Sequence, residues 1–382
     1  MRLIFDGHLD IAWNALGAER DQTLQVDDIR RREGDATPAR GTATVSLPEM
    51  RKAGITLCMA TVLARAKPWI KADRQLDRMN LDWPCPSMAY AMGQAHLAYY
   101  RLLEEQGHLR IIADRSDLES HWSARRDAMA DDQPIGVILS MEGADPIVTP
   151  DQLQQWFDQG LRCLSLAHFG LSHYAAGTPL NDPNLHAKDG PATQGGNMQH
   201  PEGDRPITPA GRQLLVEMRR LGVVLDLSHL SDTSFRDAVD AFDGAVCATH
   251  CNARALASPV RQLTDDQLRV IIDRDGVVGI VTYNGMIRWI DGREAPRDQV
   301  SLEHLADHID HICQLAGHCR NVGIGSDMDG GYGREHCPRE MDTIADLHKL
   351  EPILTKRGYT DADLDAIFHA NWLRFWQRNL PR

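Results

Sequence analysis

The chain has 382 residues, 42% of them hydrophobic and 25% charged, a composition that supplies a large core and excludes disorder on any large scale. Its formal net charge of −13 comes with no basic block, which excludes nucleic acid or an anionic membrane surface as the main partner and leaves metal or small-molecule chemistry. No stretch approaches the ~18 consecutive apolar residues of a membrane span, and no basic region followed by an apolar run opens the chain.

Short apolar runs alternate with longer helix-patterned segments along the chain, the signature of a parallel sheet with crossover helices. Eight runs read as strands: Leu3 to Phe5, Ile55 to Leu63, Gly136 to Met141, Cys163 to Ala167, Val223 to Leu227, Ala245 to Thr249, Val277 to Thr282 and Val322 to Gly325. Most are continuously apolar, as strands buried on both faces are. Helical patterns lie between them, among them Pro209 to Leu221, Asp265 to Asp273 and Leu302 to Leu315. The first opens on Thr208-Pro209, a cap residue followed by proline at the first helical position. Three stretches break the alternation: about Ala18 to Thr42, Ala66 to Pro86, and Gly170 to Pro206. The third follows strand four, and a loop this long in a compact domain is expected to be functional, lying over the barrel mouth. With no internal repeat and no linker, the expectation is one α/β domain over 1–382, a TIM-like (β/α)8 barrel.

Metal-ligand residue types recur at the C-terminal ends of these strands, where barrel active sites are built. His8 and Asp10 follow strand one at spacing i, i+2 and so share a face of an extended chain. Glu142 follows strand three, His229 follows strand five and His250 strand six, while Asp327 ends strand eight. A single histidine after an apolar run is ordinarily a hydrogen-bonded rim residue, and a single carboxylate at a strand end a helix cap. Carboxylate or imidazole at five independent strand ends is instead the pattern that divalent metals require. The set suffices for two ions bridged by Glu142, which would share a hydroxide and orient a scissile carbonyl, and that chemistry is hydrolysis. Cys247 and Cys251 flank His250 but read as small core residues. The eight cysteines form no CxxC pair, which points to reduced thiols and a cytoplasmic setting.

Asp6-Gly7-His8-Leu9-Asp10, Ser140-Met141-Glu142-Gly143, Ile207 to Arg212 continuing through Met218 to Leu227-Ser228-His229, and Thr249 to Leu256 resemble, in order, the motifs of the membrane dipeptidases (renal dipeptidase type, peptidase M19), a branch of the amidohydrolase-like barrels. The resemblance implies a metallo-dipeptidase with two divalent ions, zinc being expected: His8 and Asp10 on one, His229 and His250 on the other, Glu142 on both. It further implies that His168 hydrogen-bonds the substrate carbonyl as charge develops, that Arg261 grips the free C-terminal carboxylate, and that Asp327 moves the proton as general base and then general acid. Asp329 would share the substrate site or cap the following turn. L-Xaa-D dipeptides are expected to be accepted beside L-L ones, and a homodimer is expected from the habits of such barrels. The run Phe169 to Gly177 departs from the family's residues after the strand-four histidine, which points to a different substrate pocket. Two rival readings remain. One is an N-acyl amino acid deacylase or cyclic-amide hydrolase with the same metal centre, and the other is a catalytically silent binding barrel.

Overall fold

The computed structural model describes residues 2–34, 41–67, 81–127, 133–178 and 204–382. Among the described residues nine parallel strands form the main sheet: β1 (Ile4–Leu9), β2 (Ile55–Val62), β3 (Leu109–Ile111), β4 (Ile135–Met141), β5 (Leu161–Ser165), β6 (Val224–Asp226), β7 (Val246–Cys247), β8 (Val278–Ile280) and β9 (Val322–Ile324). Eight run in the order β8-β9-β1-β2-β4-β5-β6-β7, and a bridge from Ala248 to Val278 joins the two ends. The result is the nearly closed (β/α)8 barrel expected. Each expected strand is present with its ends moved by a few residues: strand three gains Ile135, strand four runs Leu161 to Ser165, strand one extends through His8 to Leu9, and the others are trimmed.

β3 was not among the eight expected runs. It pairs with Ile135 to Val137 of β4, below the point where β5 joins at Leu139. Three residues, of which only Leu109 is buried, carry too little pattern to mark a strand. The stretch Ala18 to Thr42 likewise holds a helix, Val26–Glu33, whose core face is only Val26 and Ile29. Most of the other two irregular stretches, 68–80 and 179–203, lies outside the described residues.

The helices start where their caps place them. Thr208 accepts from Gly211 N ahead of Pro209–Leu221, and Gly222 ends that helix in the left-handed region. Thr264 and Gln267 form a capping box at Asp265–Asp273, and Leu302–Ala316 follows another at Ser301. Within the barrel Phe5, Leu57, Met59, Ile138, Cys163, Val224 and Cys247 pack with Trp372 and Trp376 of the C-terminal helix Asn371–Asn379. A Cβ on Gly7 or Gly323 would collide with the Trp372 ring, so two strand glycines make the space for that plug. Trp372 Nε1 donates to Ile324 O at 2.8 Å. Among the described residues no helix is long and apolar enough to cross a membrane.

Candidate metal centre

The irregular register of β1 against β2 between Asp6 and Leu9 spans Gly7 and His8. Phe5 and Gly7 face the barrel plug, whereas His8 and Asp10 both reach the mouth. There they meet Glu142 from the end of β4, His168 after β5, His229 after β6, His250 after β7 and Asp327 after β9. His229 Nε2 lies 2.8 Å and His250 Nε2 3.2 Å from Glu142 Oε1, and the two Nε2 atoms are 2.9 Å apart. On the other side His8 Nε2 lies 3.6 Å from Glu142 Oε1, 3.9 Å from Asp10 Oδ1 and 3.9 Å from Asp327 Oδ1. His168 Nε2 is 3.6 Å from Glu142 Oε1. Among the described residues three sets have ligand atoms within 4.8 Å of one another: His8, Glu142 and His250; Glu142, His168 and His229; His8, Asp10 and Asp327.

Burial sets the electrostatics. It drives the His168, His229 and His250 imidazoles well below their ordinary value, with Arg261 adding to the effect at all three. At His8 burial acts in the same direction but is overcome by Glu142, Asp10 and Asp327, which raise that imidazole to about 10. Glu142 goes well below the carboxylate range despite its burial, because His8 and His168 stand beside it. Asp327 goes well above it, because burial outweighs the attraction of His8. His8 Nε2 and Glu142 Oε2 are buried with no hydrogen-bond partner among the described residues, as is His229 Nδ1. A buried carboxylate oxygen and a buried imidazole nitrogen without partners are costly in a bare protein. That is the expected condition of atoms whose partner is a cation, and this mixture of nitrogen and oxygen donors suits divalent metals of the zinc and manganese kind.

The residues beneath the cluster were not read from the sequence. Asp226 Oδ1 accepts from Ser228 N and Thr249 N at 3.0 Å, and its Oδ2 accepts the Thr249 hydroxyl at 2.6 Å. Having given its proton to Asp226, Thr249 Oγ1 can only accept from His250 Nδ1 at 2.8 Å and His8 Nδ1 at 3.2 Å. One hydroxyl therefore holds the Nδ1 protons of two imidazoles, an arrangement in which a cation in the cluster would displace any proton from Nε2 and meet both Nε2 lone pairs. Asp6 repeats the device beneath β1, accepting from His8 N, Ser326 N and Ser326 Oγ. Thr61 Oγ1 donates to Asp10 Oδ1.

The backbone is strained at this rim. His229 (φ 67°), Asp327 (φ 58°) and Asp329 (φ 63°) are left-handed without being glycine, a conformation that costs of order 1 kcal/mol or more each and persists where the surroundings dictate it. Thr178 N donates to His229 O at 2.7 Å and Gly330 N to Asp327 O at 2.9 Å. A Cβ on Gly330 would strike the Asp327 carboxylate.

Arg261 is 3% exposed, donating from Nη1 to Cys251 Sγ at 3.0 Å and from Nη2 to His250 O at 3.1 Å, so it stands against the strand end that carries His250. Asp329 is occupied elsewhere. Its carboxylate accepts from Thr44 N, Thr44 Oγ1 and Val45 N and pairs with the buried Arg20 at 3.3 Å. These contacts tie the segment after β9 to residues 44–45, and they spend both of its oxygens on the framework rather than on a substrate.

The chain matches the sequence profile of the family described as membrane dipeptidase (peptidase family M19) over residues 2–380. A Klebsiella pneumoniae protein described as uncharacterized, in the pqqA 5′ region, is 31% identical over 71% of this chain and 91% of its own length. The dipeptidase aclJ of Aspergillus oryzae is 30% identical over 63% of this chain. Against that protein and two fungal dipeptidase relatives the match spans only about half of their length. Among solved structures, that of the M19 metallopeptidase called dipeptidase AC superposes with a TM-score of 0.76 at 25% identity, covering 100% of this chain and 99% of its own. A Rhodobacter sphaeroides metallopeptidase liganded with a phosphinate mimic of the dipeptide L-Ala-D-Ala gives 0.75 at 24%, covering 99% of each chain.

Proposed function

The chain belongs to the membrane dipeptidase family, the metallo-dipeptidases of peptidase family M19, and from that premise we propose that it hydrolyses small dipeptides, L-L and L-D, with two divalent ions, zinc in kind, in one barrel domain. The observation that carries this reading is the pair of donor sets sharing Glu142 Oε1, one built on His229 and His250 and the other on His8 with Asp10. Bound there, the ions would supply a water nucleophile active at neutral pH and polarise the scissile carbonyl.

The remaining work falls to side chains. Arg261 offers a planar fork of donors beside His250, the shape and charge that suit a dipeptide's free carboxylate. Asp327, whose Oδ1 lies 3.9 Å from His8 Nε2, would as a carboxylate take the proton of the attacking water and return it to the leaving amine. His168 Nε2 stands 3.6 Å from Glu142 Oε1, on the rim where the carbonyl oxygen of the tetrahedral state would need a donor. The L-Ala-D-Ala mimic on the Rhodobacter protein is the reason to test L-D substrates first.

The test compares Arg261→Met with the parent protein on a free dipeptide and on the same dipeptide with its C-terminus amidated. The reading expects kcat/KM for the free dipeptide to fall at least about 30-fold, the loss of one partner in a buried charge pair, with the amide changing less than about threefold. Equal losses on both substrates, or turnover of N-acyl amino acids or cyclic amides in place of dipeptides, would move the substrate class to the rival hydrolase reading.

A further inference from the structure

His168 differs from the other imidazoles of the centre in what backs it. Its Nδ1 lies 3.1 Å from Arg65 Nη1, and a guanidinium has only protons to give. Arg65 is fixed in turn: its Nε bonds Asp82 Oδ1 at 2.6 Å with both side chains within 1% of complete burial, and the two residues are register partners in the short parallel ladder Arg65–Ala66 with Asp82–Trp83. The His168 main chain is clamped as well. A Cβ on Gly177 would collide with the His168 carbonyl, and one on Gly143 would press on His168 N at 3.0 Å.

We propose that Arg65, held by Asp82, is a positioning residue that fixes His168 as the neutral tautomer with its proton on Nε2, making it a hydrogen-bond donor to the substrate's developing oxyanion and barring it from ligating metal. Two donors cannot face each other, so Nδ1 must present its lone pair to Arg65. The single proton of a neutral ring then sits on Nε2, on the side of Glu142 and the reacting carbonyl. The buried cation also draws density from the ring and sharpens the Nε2 proton, the reverse of what a carboxylate behind a histidine does. His168 belongs geometrically to one of the three candidate ligand sets, and Arg65 is the feature that removes it from that duty. The inference rests on the dipeptidase reading for the identity of the oxyanion. The tautomer itself does not depend on it.

The test uses 15N-histidine-labelled, zinc-loaded protein, with the His168 signals assigned by comparison with His168→Gln. In the parent protein Nδ1 should carry no proton and Nε2 should carry one. Kinetics on a dipeptide then compare the parent with Arg65→Met and with Arg65→Met/Asp82→Asn, the double variant avoiding a buried unpaired carboxylate. We expect kcat to fall about 10²-fold, the cost of losing one oxyanion donor, with KM within about threefold and bound metal retained. A proton on Nδ1 in the parent protein overturns the proposal. So does a folded double variant whose kcat stays within about threefold, or whose loss lies in KM or in bound metal. If the parent protein cleaves no dipeptide, the functional reading falls, and the nitrogen signals still decide the role of Arg65.

Discussion

Two sides of one metal centre use the same residue type for opposite duties. At the ends of β1 and β7, the imidazoles of His8 and His250 lean through Nδ1 on Thr249, a hydroxyl that has already given its proton to Asp226. On the side of β2 and β5, His168 leans through Nδ1 on Arg65, a donor. An acceptor behind the ring draws its proton onto Nδ1 and frees Nε2 for a cation; a donor behind the ring leaves the proton on Nε2. The difference teaches that the role of a buried histidine is set one shell away, by the polarity of the partner at its far nitrogen. A count of histidines near a carboxylate cannot distinguish the two duties.

The largest break in this contrast is at the atom both sides share. Glu142→Gln should abolish dipeptide turnover and lower bound metal on both sites, since Glu142 Oε1 is within 3.6 Å of all four imidazoles; metal analysis after gel filtration checks it. Next comes His168→Gln, which should lower kcat by about 10²- to 10³-fold while metal content stays at the parent level. Loss of metal in that variant would make His168 a ligand and erase the contrast. Thr249→Val keeps the shape and removes the acceptor for two rings, so metal affinity measured against a competing chelator should fall about 10- to 100-fold, with the protein still folded.

The smallest effect separates the centre from its frame. His96, which accepts from Leu63 N at 3.3 Å, and His308, which accepts from Ala253 N at 3.1 Å, are driven by burial to about 4. The unfolded imidazole value is near 6.5, so each contributes stability that is present above pH 6.5 and lost as the pH falls toward 4, up to about 3 kcal/mol apiece. Thermal melts of metal-free protein should show that loss across this window, and His308→Gln should flatten it in part. An unchanged profile would put the acid sensitivity elsewhere.

How much of this was legible follows from how far each signal reaches along the chain. The barrel strands were legible because strands buried on both faces are continuous apolar runs, and strand ends then pointed to His8, Glu142, His229, His250 and Asp327 without any contact being known. β3 was hidden because Leu109 to Ile111 is too short to hold a pattern. The two-residue spacing after Asp327 lets Asp329 share the site or cap the following turn; in the fold its left-handed backbone turns the carboxylate to Thr44 and Arg20. The supporting shell carries its own signal in the sequence. Asp226 inside Val224-Leu225-Asp226-Leu227, and Arg65 closing Leu63-Ala64-Arg65, are charges within apolar runs, and a buried charge must have a partner. The sequence shows that such a partner exists; only the fold shows that it is Thr249 in one case and Asp82 with His168 in the other.

The most direct measurement strips the protein with chelator, returns zinc stepwise, and follows both bound zinc and the release of free amino acids from an L-L and an L-D dipeptide. The account predicts no hydrolysis from the stripped protein and full activity at about two zinc ions per chain. Undiminished dipeptide hydrolysis by stripped protein, or two bound zinc ions with no dipeptide cleaved, would contradict it.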